Sequence, residues 1–137
     1  MSVPFALARS PRLPFRRRAT ALVAVGAAGL LTRLSPARIA WMLRLLRTGS
    51  RPADVAQASV ARTAVTTVSV YCAGEGCLQR SIATVLLCRL RGTWPDWHVG
   101  VRTEPFGAHA WVAVDGNPVD EPYPAGYHRT ILAVPAG

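Results

Sequence analysis

The sequence predicts an α+β domain in which N-terminal helices pack on a small antiparallel sheet, and three observations carry this. Residues 19 to 90 place apolar side chains at helical spacing between helix start and stop signals. From Trp97 onward the pattern changes to short, roughly alternating runs bounded by prolines. Asp115-Gly116 is a strong two-residue hairpin signal. Helical runs first and strands last give helices gathered on one face of a sheet.

The elements follow in order. Residues 1 to 18, with Pro4, Pro11 and Pro14 among arginines, read as a basic, poorly ordered N-terminus. Arg16-Arg17-Arg18 before Ala19 to Leu31 has the charged and apolar parts of a signal peptide. No good small-x-small cleavage site follows at the right place, the run is too short to span a bilayer as a helix, and Gly26 and Gly29 weaken it further. It reads as a helix packed on the core, with membrane contact the minority view. Ser35-Pro36 starts a second helix, a capping hydroxyl followed by proline at the first helical position. That helix passes through Trp41, Met42, Leu45 and Leu46 and stops near Gly49. Pro52 opens a third, with Ala53, Val55, Ala56, Val60, Ala64 and Val68 as its apolar side; the β-branched residues from Thr66 to Tyr71 leave its end open. Leu78, Ile82, Val85 and Leu86 mark one face of a fourth helix, opened at Cys77 and ended by Gly92. Strands follow over Trp97–Arg102, Ala108–Val114, Asn117–Glu121 and Tyr127–Val134. The chain thus divides into residues 1–18, a helical region at 19–70 and a catalytic core at 71–137.

Composition narrows the function. The length of 137 residues fits one domain with a real core, and half the residues are apolar. Three cysteines, Cys72, Cys77 and Cys88, do not form a disulfide framework, and a reducing cytoplasm fits them. The net charge of +9 is uneven: residues 1 to 51 hold ten arginines and no acid, whereas the rest holds six arginines and seven acids. The basic excess lies outside the candidate chemistry, so charge names neither nucleic acid nor membrane as a partner. The plainer reading is a solvated, arginine-rich face.

The chemistry centres on Gly76-Cys77-Leu78-Gln79-Arg80-Ser81. A cysteine in the first turn of a helix sits at the positive end of the macrodipole, among N–H groups without intrahelical partners. That setting stabilises a thiolate and an oxyanion. Nucleophilic catalysis then needs a base and a group that orients it. His109, on the strand before the Asp115-Gly116 turn, supplies the base, and Asp120 and Glu121 return on the other side. A two-residue loop sets His109 opposite Pro122, with Asp120 diagonal on its face; a three-residue loop with a glycine bulge pairs His109 with Glu121. Both registers stay open.

A cysteine on a helix, a histidine on a strand and an acid on the next strand is the order of the papain and transglutaminase superfamily, which this chain resembles. Gly76-Cys77-Leu78-Gln79-Arg80-Ser81-Ile82-Ala83, Leu87-Cys88-Arg89-Leu90-Arg91-Gly92, Trp97-His98-Val99-Gly100-Val101, Pro105-Phe106 and His109-Ala110-Trp111-Val112 resemble more closely the leader-peptide proteases of lasso peptide biosynthesis. The likeness is strong over about residues 70 to 134 and looser before them. In that family the transglutaminase-like domain can stand alone, as the C-terminal half of what elsewhere is a fused B protein. The resemblance implies Cys77 as nucleophile, His109 as base and no metal or organic cofactor for the cleavage. It implies as partners a lasso precursor peptide, a small leader-recognition protein acting in trans, and an ATP-dependent cyclase that uses the released amine. The family's third member is typically an aspartate; here Glu121 stands at that register with Asp120 just before it.

Weaker candidates read as structural. Cys88 lies about three helical turns from Cys77, too far to share its site. Cys72, Cys77 and His98 lack a zinc-ligand spacing. His98 and His128 read as structural or exposed, Arg80 as a cleft or salt-bridging residue, and Trp94, Trp97 and Trp111 as core and cleft walls. Two other classes compete with the peptidase. One is an acyl transferase of the same fold, sharing the thioester intermediate. The other is a non-enzymatic basic adaptor, for which Cys77 and His109 would be dispensable.

Overall fold

The structure, a computed structural model, describes residues 13–136. Its elements are α1 (Phe15–Leu31), α2 (Pro36–Arg47), β1 (Arg51–Pro52), α3 (Val55–Val68), the single turn α4 (Val70–Ala73), α5 (Cys77–Leu90), β2 (Thr93–Trp94), β3 (Asp96–Thr103), β4 (Phe106–Val114), β5 (Asn117–Pro118) and β6 (Arg129–Val134). The expected α+β class is the observed one.

Helix α5 is the centre of the packing. It touches α1 and α3 on one side and β3 and β4 on the other. Residues Arg80 to Val85 are buried without interruption, followed by Leu87 and Cys88. The helix is therefore enclosed nearly all round rather than along the single stripe its apolar spacing suggests. Its buried hydroxyls return to the backbone, Ser81 Oγ to Leu78 O (2.8 Å) and Thr84 Oγ1 to Arg80 O (2.7 Å). Ser81 Oγ also accepts the indole N–H of the fully buried Trp97 at 3.0 Å, joining the helix to the sheet.

Alanines line the helix contacts. Ala21, Ala24 and Ala28 are the buried face of α1, and Ala58, Ala61, Ala64 and Val65 that of α3. Such small side chains let helices approach closely, since interaxial distance follows the residues at the contact. The face expected for α3 needs correction: Val55 and Val60 lie outside, and the helix begins at Val55 rather than at Pro52. Asp54 caps it, accepting from Gln57 N, while the Gln57 side chain accepts from Asp54 N. Pro52 instead belongs to β1, which pairs in parallel with β2. Helix α2 starts as expected, with Ser35 accepting from Arg38 N, but it buries Ile39, Ala40 and Leu43 and leaves Trp41, Leu45 and Leu46 exposed. The end left open after Thr66 resolves at Ser69, which follows α3 and caps α4 by accepting from Cys72 N.

The main sheet has the order β5-β4-β3-β6, with every neighbouring pair antiparallel. Trp97, Val112 and Val134 face the helices, while His98 and Trp111, paired across β3 and β4, share the opposite face. Asp115 and Gly116 both have positive φ, 52° and 82°, as a two-residue type I′ hairpin requires. The returning strand is shorter than expected, two residues rather than Asn117–Glu121. Val119 N still bonds to Val112 O (3.0 Å), and the ladder then ends at Asp120, whose φ is 53°. The last strand likewise begins at Arg129, not Tyr127.

One hydrophobic cluster runs from Ala21 to Val134, so the regions read as 19–70 and 71–137 share a core. Residues 15–18, assigned to a disordered N-terminus, form the first turn of α1; the reading of residues 1–12 lies outside the described residues. Among the described residues no helix is long and apolar enough to cross a membrane.

Candidate active site

Cys77 is the first residue of α5, and its helix has no side-chain cap. The loop before it is held in place by its own backbone. Gly76 N bonds to Tyr71 O (2.9 Å), and Arg80 N makes the first helical bond to Gly76 O (2.8 Å). A Cβ on Gly76 would fall 2.4 Å from the Tyr71 ring and 2.9 Å from Tyr71 O, so glycine fits there between that ring and Cys77. The N–H groups of Leu78 and Gln79 have no intrahelical acceptor by helix geometry. The Cys77 N–H, expected to serve an oxyanion, points instead at Glu75 O at 2.9 Å. A cavity of about 170 Å³ opens at this helix end, lined by Thr32, Tyr71, Glu75, Gly76, Cys77, Leu78 and Gln79.

His109 comes from β4, and its imidazole is the largest influence on the Cys77 thiol. The second ring nitrogen, Nε2, lies 2.5 Å from Glu121 Oε1. The structure thus groups Cys77 with His109, and bonds His109 to Glu121. It does not bring in Asp120, whose carboxylate is exposed and accepts the Ser59 hydroxyl at 2.5 Å. The hairpin has the two-residue loop, yet Glu121 is the partner, because the left-handed backbone at Asp120 turns the chain out of the ladder. Aspartate tolerates that conformation better than most residues.

The electrostatics favour an ion pair. The hydrogen bond with His109 holds the Cys77 thiol below its ordinary range, against burial, and the Ala110 backbone amide and the charges of His109 and Arg80 act in the same sense. Hydrogen bonds to Cys77 and Glu121 raise His109 to about 9. Both shifts act in the sense that favours a thiolate–imidazolium pair. Burial works against the charge of Glu121, but the His109 hydrogen bond and the cations of Arg62 and Arg80 outweigh it and hold the carboxyl below its ordinary range. Cys88 is the opposite case, pushed up to about 11 chiefly by burial.

Residues that the sequence reading left in minor roles surround this centre. Arg62 Nη2 lies 3.2 Å and Arg80 Nη2 3.9 Å from Glu121 Oε2. The His109 ring stacks on Trp111 (centroids 6.0 Å apart) and on His128 (5.2 Å), and Tyr123 meets it edge-on at 5.5 Å. Trp111 also stacks on His98, which is hydrogen-bonded to Thr130. A second cavity, of about 430 Å³, lies against Trp111 and His128 and is walled by His98, Arg129 and Thr130. Arg62 was missed because it belongs to α3, fifty-nine residues from Glu121 in the chain. No local pattern connects the two. Cys72 and Cys88 are buried and unbonded to each other or to Cys77, and among the described residues no three His, Cys, Asp or Glu side chains are grouped to hold a metal ion.

A cysteine at a helix start, an imidazole on the adjoining sheet and a buried carboxylate behind it are the groups that cysteine-protease and acyl-transfer chemistry uses. The model of the transglutaminase-like superfamily matches residues 21–133, and the chain belongs to that superfamily. No curated protein and no solved structure matches the chain.

Proposed function

We propose that this protein is a cysteine peptidase that removes the leader from a lasso peptide precursor, working with a small leader-recognition protein in trans. The observation that carries the peptidase part is the His109–Glu121 pair, with His109 acting on Cys77 at the open N-terminus of α5. The motif resemblance around Cys77 and His109 supports the substrate.

The Cys77 thiolate attacks the scissile carbonyl carbon, forming a carbon–sulfur bond and an oxyanion. The free N–H groups at the start of α5, Leu78 first, face that charge. The bond to nitrogen breaks as the His109 imidazolium gives its proton to the departing amine, the new N-terminus of the core peptide. Water, activated by the neutral imidazole, then attacks the thioester and releases the leader carboxylate. Glu121 holds the imidazole orientation and stabilises its charged form through both halves. No step calls on a metal or an organic cofactor. An ATP-dependent cyclase would consume the freed amine.

The same thioester could pass to an amine instead of water, which makes acyl transfer the second reading. The two separate in one experiment: mass spectrometry of precursor, leader-binding protein and enzyme, with and without an added amine. Free leader carboxylate marks hydrolysis, whereas an amide of the added amine marks transfer.

A further inference from the structure

The Glu121 carboxylate is held from two sides by groups that no sequence pattern links. Its side chain is only 3% exposed, so both oxygens need partners from the protein. Oε1 faces the His109 ring, and Oε2 faces Arg62 from α3 and Arg80 from α5. Burial and then the Arg62 charge disfavour the charge of Arg80, and Glu121 is paired with both guanidiniums.

Arg80 does more than neutralise. It is 7% exposed, and its Nη1 donates to Cys72 O (2.9 Å) and Gly74 O (3.3 Å), carbonyls of the segment that leads into Cys77. One planar side chain, three residues after the nucleophile, therefore ties the nucleophile's loop to the carboxylate that orients the base. Arg62 has a single hydrogen bond among the described residues, the one to Glu121. A glutamate carries one more rotatable bond than an aspartate, so a lone hydrogen bond to the imidazole would leave it free to swing.

We propose that Arg62 and Arg80 are positioning residues that lock Glu121 against His109, with Arg80 also fixing the Cys77 loop to the same carboxylate. The proposal rests on the Cys77–His109–Glu121 centre and not on the identity of the peptide substrate. Neither arginine is hydrogen-bonded to Cys77; Arg62 acts through the carboxylate, and Arg80 adds its own charge to that route.

The test uses the full chain and iodoacetamide, which reports the Cys77 thiolate without any peptide. Alkylation at Cys77 is followed at pH 6 by peptide mapping in wild type, Arg62→Gln, Arg80→Lys, Glu121→Gln and Arg62→Gln/Glu121→Gln, with a thermal melt of each. Because Arg62 sits at the rim, its variant keeps the fold even if Arg80 variants do not. Arg62→Gln slows alkylation about tenfold, a shift of one pKa unit in the pair. In the Glu121→Gln background Arg62→Gln adds nothing, because its only route to the cysteine has gone. Arg80→Lys, which keeps the charge but loses the fork, fails to restore the wild-type rate. Wild-type alkylation in Arg62→Gln, or an Arg62 effect undiminished without the Glu121 charge, overturns the proposal.

Discussion

His109 Nε2 and Glu121 Oε1 lie 2.5 Å apart, although the regular hairpin register places Pro122, not Glu121, opposite His109. The left-handed Asp120 produces that shift, and with it the choice between the two acids. Glu121→Gln keeps the shape but removes the charge and the correct tautomer. Loss of the acid in such a triad costs up to about 10⁴ in kcat. Asp120→Asn loses only part of a surface hydrogen bond to Ser59, worth about 1 kcal/mol, and leaves turnover near wild type. Single-turnover kinetics of both variants check this.

The pH behaviour follows from the ion pair. A raised His109 contributes stability that is fully present below its ordinary 6.5 and lost as pH rises through about 9. A lowered Cys77 contributes stability present above its ordinary 9.0 and lost as pH falls through its lowered value. The two trends oppose each other, so the urea midpoint moves little where alkylation of Cys77 is already fast, below pH 9. His109→Ala pushes the onset of alkylation up toward the ordinary thiol range. A wild-type onset equal to that of His109→Ala would contradict the ion pair.

Selectivity among the three cysteines is a separate expectation. Cys72 and Cys88 are buried, and Cys88 is pushed up to about 11. Iodoacetamide at pH 7 labels the folded protein once, at Cys77, and labels all three only in denaturant. Intact mass before and after unfolding reads this directly.

Gly100 tests the wall behind His109. A Cβ there would fall 2.8 Å from Arg129 O and 2.8 Å from the Trp111 ring. Gly100→Ala must push β6 aside or move Trp111, on which His109 stacks. Overpacking of this kind costs about 1–3 kcal/mol. The variant melts earlier and turns over more slowly, whereas Asp54→Ala, which removes the α3 cap, costs about 1 kcal/mol of stability and leaves turnover unchanged.

What could be read beforehand was local. Ser35-Pro36, the Cys77 helix start and Asp115-Gly116 each state their conformation within a few residues, and the structure has all three. The α3 face was misjudged because alanine and valine alternate through it, and alanine gives little weight to either side until a partner helix selects the close-packed one. Asp120's positive φ has no marker, since aspartate is equally at home in ordinary conformations. The arginines around Glu121, the parallel β1–β2 pair and the rings stacked on His109 depend on contacts between distant segments, which no window of the sequence contains.

The most direct test of the central claim is leader release from the precursor peptide, followed by mass spectrometry in the presence of the small leader-binding protein. Wild type should yield free leader and a core peptide with a new amine, and Cys77→Ala, equally folded, should yield neither. Equal release by both proteins, or an untouched precursor with well-folded wild type, would contradict the cysteine mechanism or the substrate.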